Sequence, residues 1–277
     1  MLPTNAVLSG GNLFNRIAYP NHGLVADEEA VGHEAYRIAT GRRSPFTNYY
    51  TSITANQQRT LTLTCDRTRV ADLFVLDRGH NLAGLEVILE RSDDNFTVST
   101  IPVFDVVLPA NSGTGSLDDP FGVVTEEGAW IIRFTKANAL YWRLRIPAMG
   151  ALLRPKIVGA HLSLSFAFLP WMPDARDQTE LGGEMAESDA GWQALAAPWL
   201  RRTDTLRIQL LSIFDYELAA TAFRHWDLHR PAWFVPDETY AQTARCIIRP
   251  AGVTGFVRAP DWFPHKAEIP AIEHEAA

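Results

Sequence analysis

Residues Arg59–Cys65 read Arg-Thr-Leu-Thr-Leu-Thr-Cys, and this alternation puts Leu61, Leu63 and Cys65 on one face of a strand with the threonines on the other. A denser apolar run follows at Val70–Asp77, then further strand signals at Leu85–Glu90, Thr97–Val107, Trp130–Phe134 and Tyr141–Ile146. Gly, Asn, Asp and Pro separate them, as in the turn Gly79–Gly84 and the small, polar stretch Asn111–Pro120, which reads as a long exposed loop. No helical period intervenes. Strands so spaced predict an antiparallel sandwich and disfavour a βαβ nucleotide-binding architecture.

The chain has 277 residues, 47% of them hydrophobic and 21% charged, enough for two domains of ordinary size. Pro147–Pro155 follows the last of these strands and precedes a new alternating run, Ile157–Phe168, so the expected domains are 1–150 and 151–277. In the second half, strands are expected at Thr205–Leu211 and Tyr240–Arg249. One helix lies between them, with Ser212 and Asp215 as its capping pair, Ala219, Ala222, Phe223 and Trp226 as its apolar stripe, and Pro231 as its stop. Leu169–Pro173 and Ala232–Pro236 read as Trp- and Pro-rich connections and Ile269–Ala277 as a frayed end. The expected fold class is mainly β: an N-terminal jelly roll and a C-terminal β-sandwich with one α-helix.

The formal net charge is −7, divided almost evenly between the halves, which disfavours nucleic-acid binding of the electrostatic kind. No apolar run approaches the roughly 20 residues of a membrane helix, and the N-terminus lacks a charged-then-apolar pattern, so a soluble, untargeted chain is expected. Cys65 and Cys246 stand alone and read as free buried thiols. The nucleophile elbow, phosphate loop, dinucleotide fingerprint and HExxH zinc motif are all missing, so no catalytic residue and no cofactor is assigned. His225 and His229 share a helix face without a third ligand, and the pairs Asp93-Asp94, Asp118-Asp119 and Glu126-Glu127 lack a calcium-loop spacing. Solvated or structural charge is the simpler reading of each.

Only three of the 25 basic residues are lysine, and arginine pairs occur at Arg42-Arg43 and Arg201-Arg202. Six of the eight Trp lie after residue 150, several beside Pro. Arg and Trp are enriched where proteins meet, and Trp equally fills cores, so Trp171, Arg201, Arg202, Trp233 and Trp262 are candidate interface residues.

The run Val70–Asp94 passes from an apolar strand through Asp77-Arg78-Gly79-His80-Asn81-Leu82-Ala83-Gly84 to a second strand and then Ser92-Asp93-Asp94. With Tyr141-Trp142-Arg143-Leu144 as a closing strand, it resembles the discoidin or galactose-binding-like jelly roll over residues 25–148. The polar turn, Asp77, Arg78, Gly79, His80, Asn81 and Gly84, is expected to be structural: the glycines permit positive φ, and Asp77, Arg78 and Asn81 can tie loop backbone groups. Joined to Gly182-Gly183-Glu184, Glu187–Trp192, Arg201-Arg202 and Pro231–Pro236, this half resembles the structural tail proteins of bacteriophages.

That resemblance implies a non-enzymatic distal-tail, baseplate or minor tail protein, made in the host cytoplasm and built into the virion as a ring homo-oligomer. Tail tube, hub and fibres would be its neighbours. The alternative is a carbohydrate-binding module that recognises a bacterial surface glycan through loop aromatics and arginines. A two-carboxylate hydrolase acting on cell-wall glycan is the third class.

Overall fold

The structure, a computed structural model, describes residues 5–15, 19–40, 46–110, 117, 119–150, 152–170, 178–187, 193–210, 217–218, 220–222, 231–248 and 265–273. Its strands are β1 (Ala6–Ser9), β2 (Gly23–Ala26), β3 (Tyr50–Thr51), β4 (Arg59–Leu76), β5 (Glu86–Ser92), β6 (Ile101–Val107), β7 (Val123–Val124) and β8 (Trp130–Ile146). They continue with β9 (Lys156–Ile157), β10 (Ala160–Ser163), β11 (Ser165–Pro170), β12 (Gln178–Glu187), β13 (Gln193–Leu210), β14 (Ala232–Val235), β15 (Arg245–Ile248) and β16 (His265–Glu273). The protein is mainly β, and the pairings among these strands are antiparallel. Residues 217–218 and 220–222 are helical, within the stretch where the sequence predicts a helix, and Ala222 is buried. Ser212, Asp215, Ala219, Phe223 and Trp226 of that expected helix lie outside the described residues.

The first sheet runs β10-β4-β8-β5-β6, with β2 also on β4 and β7 on β8. Arg59–Cys65 and Val70–Asp77, separate in the sequence reading, lie largely on one strand, and so do Trp130–Phe134 and Tyr141–Ile146. Register shifts between Thr64/Arg69 and Ala71/Leu73 mark bulges, which bend a strand. The β4–β8 ribbon thereby closes over one core, into which Leu61, Leu63, Leu89 and Leu144 project from one half and Phe74, Leu76, Trp130 and Ile132 from the other. Phe74 sits between Phe14, Phe104 and Trp130, with ring centroids 6.5, 5.5 and 6.1 Å away. Register between β5 and β8 is held by a charge cluster: buried Glu90 accepts from Arg143 Nε at 2.8 Å and meets Arg145 at 3.4 Å. This is a jelly-roll-type sandwich.

The second sheet runs β11-β1-β14-β15-β16-β13-β12, and β11 also pairs with β13. Six strands thus return on themselves as a small barrel, with β12 attached outside. The barrel takes its β1 from the start of the chain, where Val7 faces Val235 and Leu8 faces Phe234. On the other side of the expected boundary, β10 belongs to the jelly-roll sheet, its residues Ala160–Ser163 pairing with Leu76–Leu73. A division at residue 150 therefore passes between paired strands.

Residues 71–77 are buried without exception, which accounts for their lack of alternation. Phe74 and Leu76 enter the jelly-roll core, while Leu73 and Val75 join Val7, Ile131, Trp233, Val235 and Cys246 in a second core against the barrel. Trp233, a candidate exposed anchor in the sequence reading, is 3% exposed and belongs to that second core. Its N–H donates to Ser9 Oγ at 2.7 Å, because the supposed connection Ala232–Pro236 is mostly strand β14. The supposed frayed end is largely β16, paired with β13 from Thr203↔Ile272 to Leu210↔His265. Of Tyr240–Arg249, the stretch Arg245–Ile248 is strand, while Tyr240 lies in a 3-10 segment capped by Asp237, whose carboxylate accepts from Thr239 N–H at 2.8 Å. In these segments backbone pairing with distant strands outweighs local composition. Both cysteines are free and buried, and burial pushes the Cys65 thiol up to about 12.

Polar groups also line the seam. Ser165 N–H donates to Asp72 at 2.6 Å, and His161 Nε2 lies 3.2 Å from Gly10 O, so that nitrogen carries the proton. Burial lowers the His161 pKa to about 4.

Two outcomes are expected. Residues 10–163 expressed alone keep β2–β10 and should melt cooperatively, whereas residues 1–150 lack β9 and β10 and should not. Equal cooperative melts would instead support a division at 150. The second outcome concerns pH. Between pH 6.5 and 4 the unfolded chain binds a proton at His161 that the folded protein excludes, so stability falls as pH drops through this window, by about 3 kcal/mol in all. Chemical denaturation across that range should show His161→Asn flattening the slope; an unchanged slope would assign the effect to other groups.

Candidate functional site

The turn after β4 is built as a clamp. Gly79 and Gly84 have φ of 84° and 76°, a region that a Cβ disfavours. Asp77 is buried; its carboxylate accepts from Arg78 N–H at 2.8 Å, and its own N–H donates to Gly159 O at 2.9 Å. His80 Nδ1 accepts from Leu82 N–H at 3.2 Å, which fixes the tautomer, and burial lowers its pKa. Asn81 reaches across to the segment before β10: its amide donates to Arg154 O at 2.8 Å and accepts from Lys156 N–H at 2.7 Å. The turn residues thus hold a loop to the segment that enters β10.

A second tie brings residues 27–57 to the same segment. β3 pairs with β9 through Tyr50↔Ile157 and Thr51↔Lys156, Asn56 N–H donates to Leu153 O at 3.1 Å, and Gly150 N–H donates to Asn56 Oδ1 at 3.0 Å. Within that loop, Asn48 Nδ2 donates to Arg37 O and Thr40 Oγ1, both at 3.0 Å, so residues 46–48 lie against the 3-10 turn Ala35–Ala39. Two rings stand out on this paired stretch, Tyr36 at 43% and Phe46 at 82% exposure. In the same stretch, half-buried Tyr49 stacks on His33 with centroids 4.0 Å apart, and Lys156 Nζ lies 4.8 Å from the Tyr49 ring centre. Arg37 flanks the Tyr36 ring at 5.8 Å. The stretch thus carries two exposed rings, with a cation against Tyr36 and another against Tyr49.

Three carboxylates of the stretch, Glu28, Glu29 and Glu34, are committed to the fold. Glu28 binds Thr54 and the Arg59 guanidinium; Glu29 accepts from Ala26 and Ala35 N–H. Glu34 accepts from Arg37 Nε at 2.9 Å and from Gly32 N–H at 3.0 Å, which holds its carboxyl at about 2. Glu34, held low in this way, stays ionised as an acceptor, unlike a general acid, whose pKa must be raised.

Other candidates are placed as follows. Asp94 caps its own turn, accepting from Ser92 Oγ at 2.6 Å and from Val98 and Ser99 N–H, and the Ser92 hydroxyl bond lowers its pKa first among these. Asp93 accepts from Leu140 N–H and Asp119 from Phe121 N–H. No three His, Cys, Asp or Glu gather as metal ligands among the described residues. A cavity of about 30 Å³ in the seam, bordered by Asn12, Asp77, His161, Trp233 and Cys246, has room for a water or two but not for a sugar ring. Arg201 and Arg202 lie on β13, their side chains outside the described residues. Trp171, Trp262, Arg42, Arg43, Asp118, His225 and His229 lie outside the described residues altogether. Tyr36, Phe46 and Tyr49 lie on no periodic run that marks them as functional; the aromatic cluster Phe-Thr-Asn-Tyr-Tyr at 46–50 is the one signal of them in the sequence.

No protein-family model and no curated protein matches the sequence. Similar solved structures exist. One is chitosan-binding module 1 of a chitosanase/glucanase from Paenibacillus sp. IK-5, at 16% identity and a TM-score of 0.39 over 55% of this chain and 97% of the module. Another is CBM32-3 from a family 31 glycoside hydrolase of Clostridium perfringens, at 16% identity and a TM-score of 0.38 over 50% and 90%. A third is the family 32 carbohydrate-binding module of C. perfringens NanJ in complex with galactose, at 9% identity and a TM-score of 0.41 over 56% and 98%.

Proposed function

We propose that the protein is a non-catalytic binding module whose jelly-roll loop face takes a bacterial surface glycan. One observation carries this reading: Tyr36 and Phe46 stand exposed beside a stretch braced by Asn48 and by the β3–β9 pair, with Arg37 against the Tyr36 ring and Lys156 against Tyr49. The C–H face of a pyranose packs on an aromatic ring, and cationic donors satisfy its hydroxyls or acidic substituents. A fixed loop spends little entropy on binding.

Calorimetric titration with galactosides and chitosan oligomers, and pull-down with peptidoglycan, capsule and lipopolysaccharide, test it. Phe46→Ala and Tyr36→Ala should each weaken binding about tenfold, equivalent to roughly 1.4 kcal/mol, without moving the melting temperature. Wild-type protein that binds none of these glycans would overturn the reading.

A second reading, the ring-forming subunit of a phage tail tip with the virion as its location and tail tube, hub and fibres as neighbours, rests on the sequence resemblance. One structural observation favours its assembly aspect: β12 and the first part of β13 form a ribbon beyond the barrel.

A further inference from the structure

The chain has 32 acidic residues, yet three segments that its hydrogen bonds tie together contain none of them. Residues 35–57 hold Arg37, Arg42 and Arg43, residues 78–84 hold Arg78, and residues 150–157 hold Arg154 and Lys156. Asn81 joins the second segment to the third through Arg154 O and Lys156 N–H. The β3–β9 pair and the bond from Asn56 N–H to Leu153 O join the first to the third. In a protein of net charge −7, basic residues are thus gathered against the balance of the whole chain.

The acids that border these segments are already engaged. Glu28 pairs with Arg59, whose Nη1 lies 4.0 Å from Asp27; Glu29 accepts from two backbone N–H groups; Glu34 pairs with Arg37 at 2.9 Å; and Asp77 is buried. Arg154 and Lys156 have no carboxylate in ion-pair range among the described residues. Pro155 and Ile157 are buried, which turns Arg154 and Lys156 to the other side of the extended segment, Arg154 exposed and Lys156 half-buried. Across the β3–β9 pair Lys156 stands opposite Thr51, and its Nζ lies over the Tyr49 ring, which is stacked on His33. An ammonium resting on a ring keeps its protons for a further acceptor, and a backbone already held by Asn81 has little left to order. Two unpaired cations on one side of a braced segment suit oxyanions along a polymer, since hydrogen bonds between ionised partners are roughly twice as strong as neutral ones.

We propose that Arg154 and Lys156 bind the acidic groups of the glycan, so that the ligand is an anionic polysaccharide bearing uronate carboxylates or phosphodiesters. This rests on the glycan reading and narrows it to one class of polymer.

Calorimetric titration of the full chain with an oligogalacturonate, with the same oligomer as its neutral methyl ester, and with a poly(ribitol phosphate) teichoic acid tests it. Wild-type protein should bind one of the two anionic polymers at least about tenfold more tightly than the methyl ester. That affinity should fall as salt rises from about 50 to about 300 mM, because exposed charges are screened over this range. The double variant Arg154→Gln, Lys156→Gln should lose at least about tenfold with an unchanged melting temperature. Tighter binding of the oligogalacturonate assigns the carboxylate, and tighter binding of the teichoic acid the phosphate. A methyl ester bound as tightly as the acid, affinity indifferent to salt, or a double variant that binds like the wild type overturns the anionic assignment and leaves the glycan reading standing. So does binding of galactosides or chitosan oligomers with neither anionic polymer bound. Wild-type protein that binds none of these glycans overturns both.

Discussion

Burial of residues 71–77 on both faces is the constraint on which the rest of the structure depends. An ordinary sandwich strand places alternate side chains in one core and returns the others to solvent. Here Phe74 and Leu76 serve the jelly roll while Leu73 and Val75 serve a second core shared with the barrel. Each fully buried aliphatic of this kind is worth roughly 1.5–3 kcal/mol, so the strand contributes to both bodies at once. β10 is recruited to its edge by the backbone groups that remain, and the turn residue Asp77 then hydrogen-bonds Gly159 just before β10. The seam is consequently a shared core strand rather than two finished surfaces in contact.

That arrangement also determines where a ligand can go. The space left in the seam is about 30 Å³ and is bordered by groups already hydrogen-bonded, among them His161 to Gly10 and Asp77 to Arg78. The loops beyond β9 and the Asp77–Gly84 turn are different, since Asn81 and Asn56 use side-chain amides as substitute strand partners and hold irregular backbone in place. An irregular loop fixed by amides can present rings such as Phe46 to solvent at little conformational cost.

Much of the jelly roll was legible in the sequence because one-sided burial prints alternation directly: Leu61, Leu63 and Cys65 are inside, as their spacing requires. The bulges were not, because Asp66-Arg67-Thr68 between the two runs reads as a turn although it lies within β4. β1 and β14 escaped for another reason: the pairing of Val7 with Val235 spans 228 residues, and no local pattern announces a partner so distant. β16 was obscured by Pro270, which normally argues against a strand; β15 reaches only Ile272 and Glu273, so Pro270 pairs on one side alone among the described residues. Trp233 shows the same limit from the side of function, since neighbouring prolines suggest exposure while position in β14 buries it. The aromatic loop face had no period to reveal it, only composition at 46–50.

Closure of the barrel and extension of the ribbon follow from one geometrical fact about β13. A strand of 18 residues is longer than the neighbours that close around it: β14 and β15 have four residues each and β11 has six. The excess must run past the barrel, and β12 turns back along it as its partner. Among the described residues, pairing within the ribbon satisfies one edge of each of these two strands. The bulge at the register shift opposite Gly183, with Pro198 on the longer side, removes a donor from that segment and limits how far any added strand can run. A strand added along that edge would meet a break at Pro198, one of the devices by which natural sheets keep an edge from indiscriminate pairing.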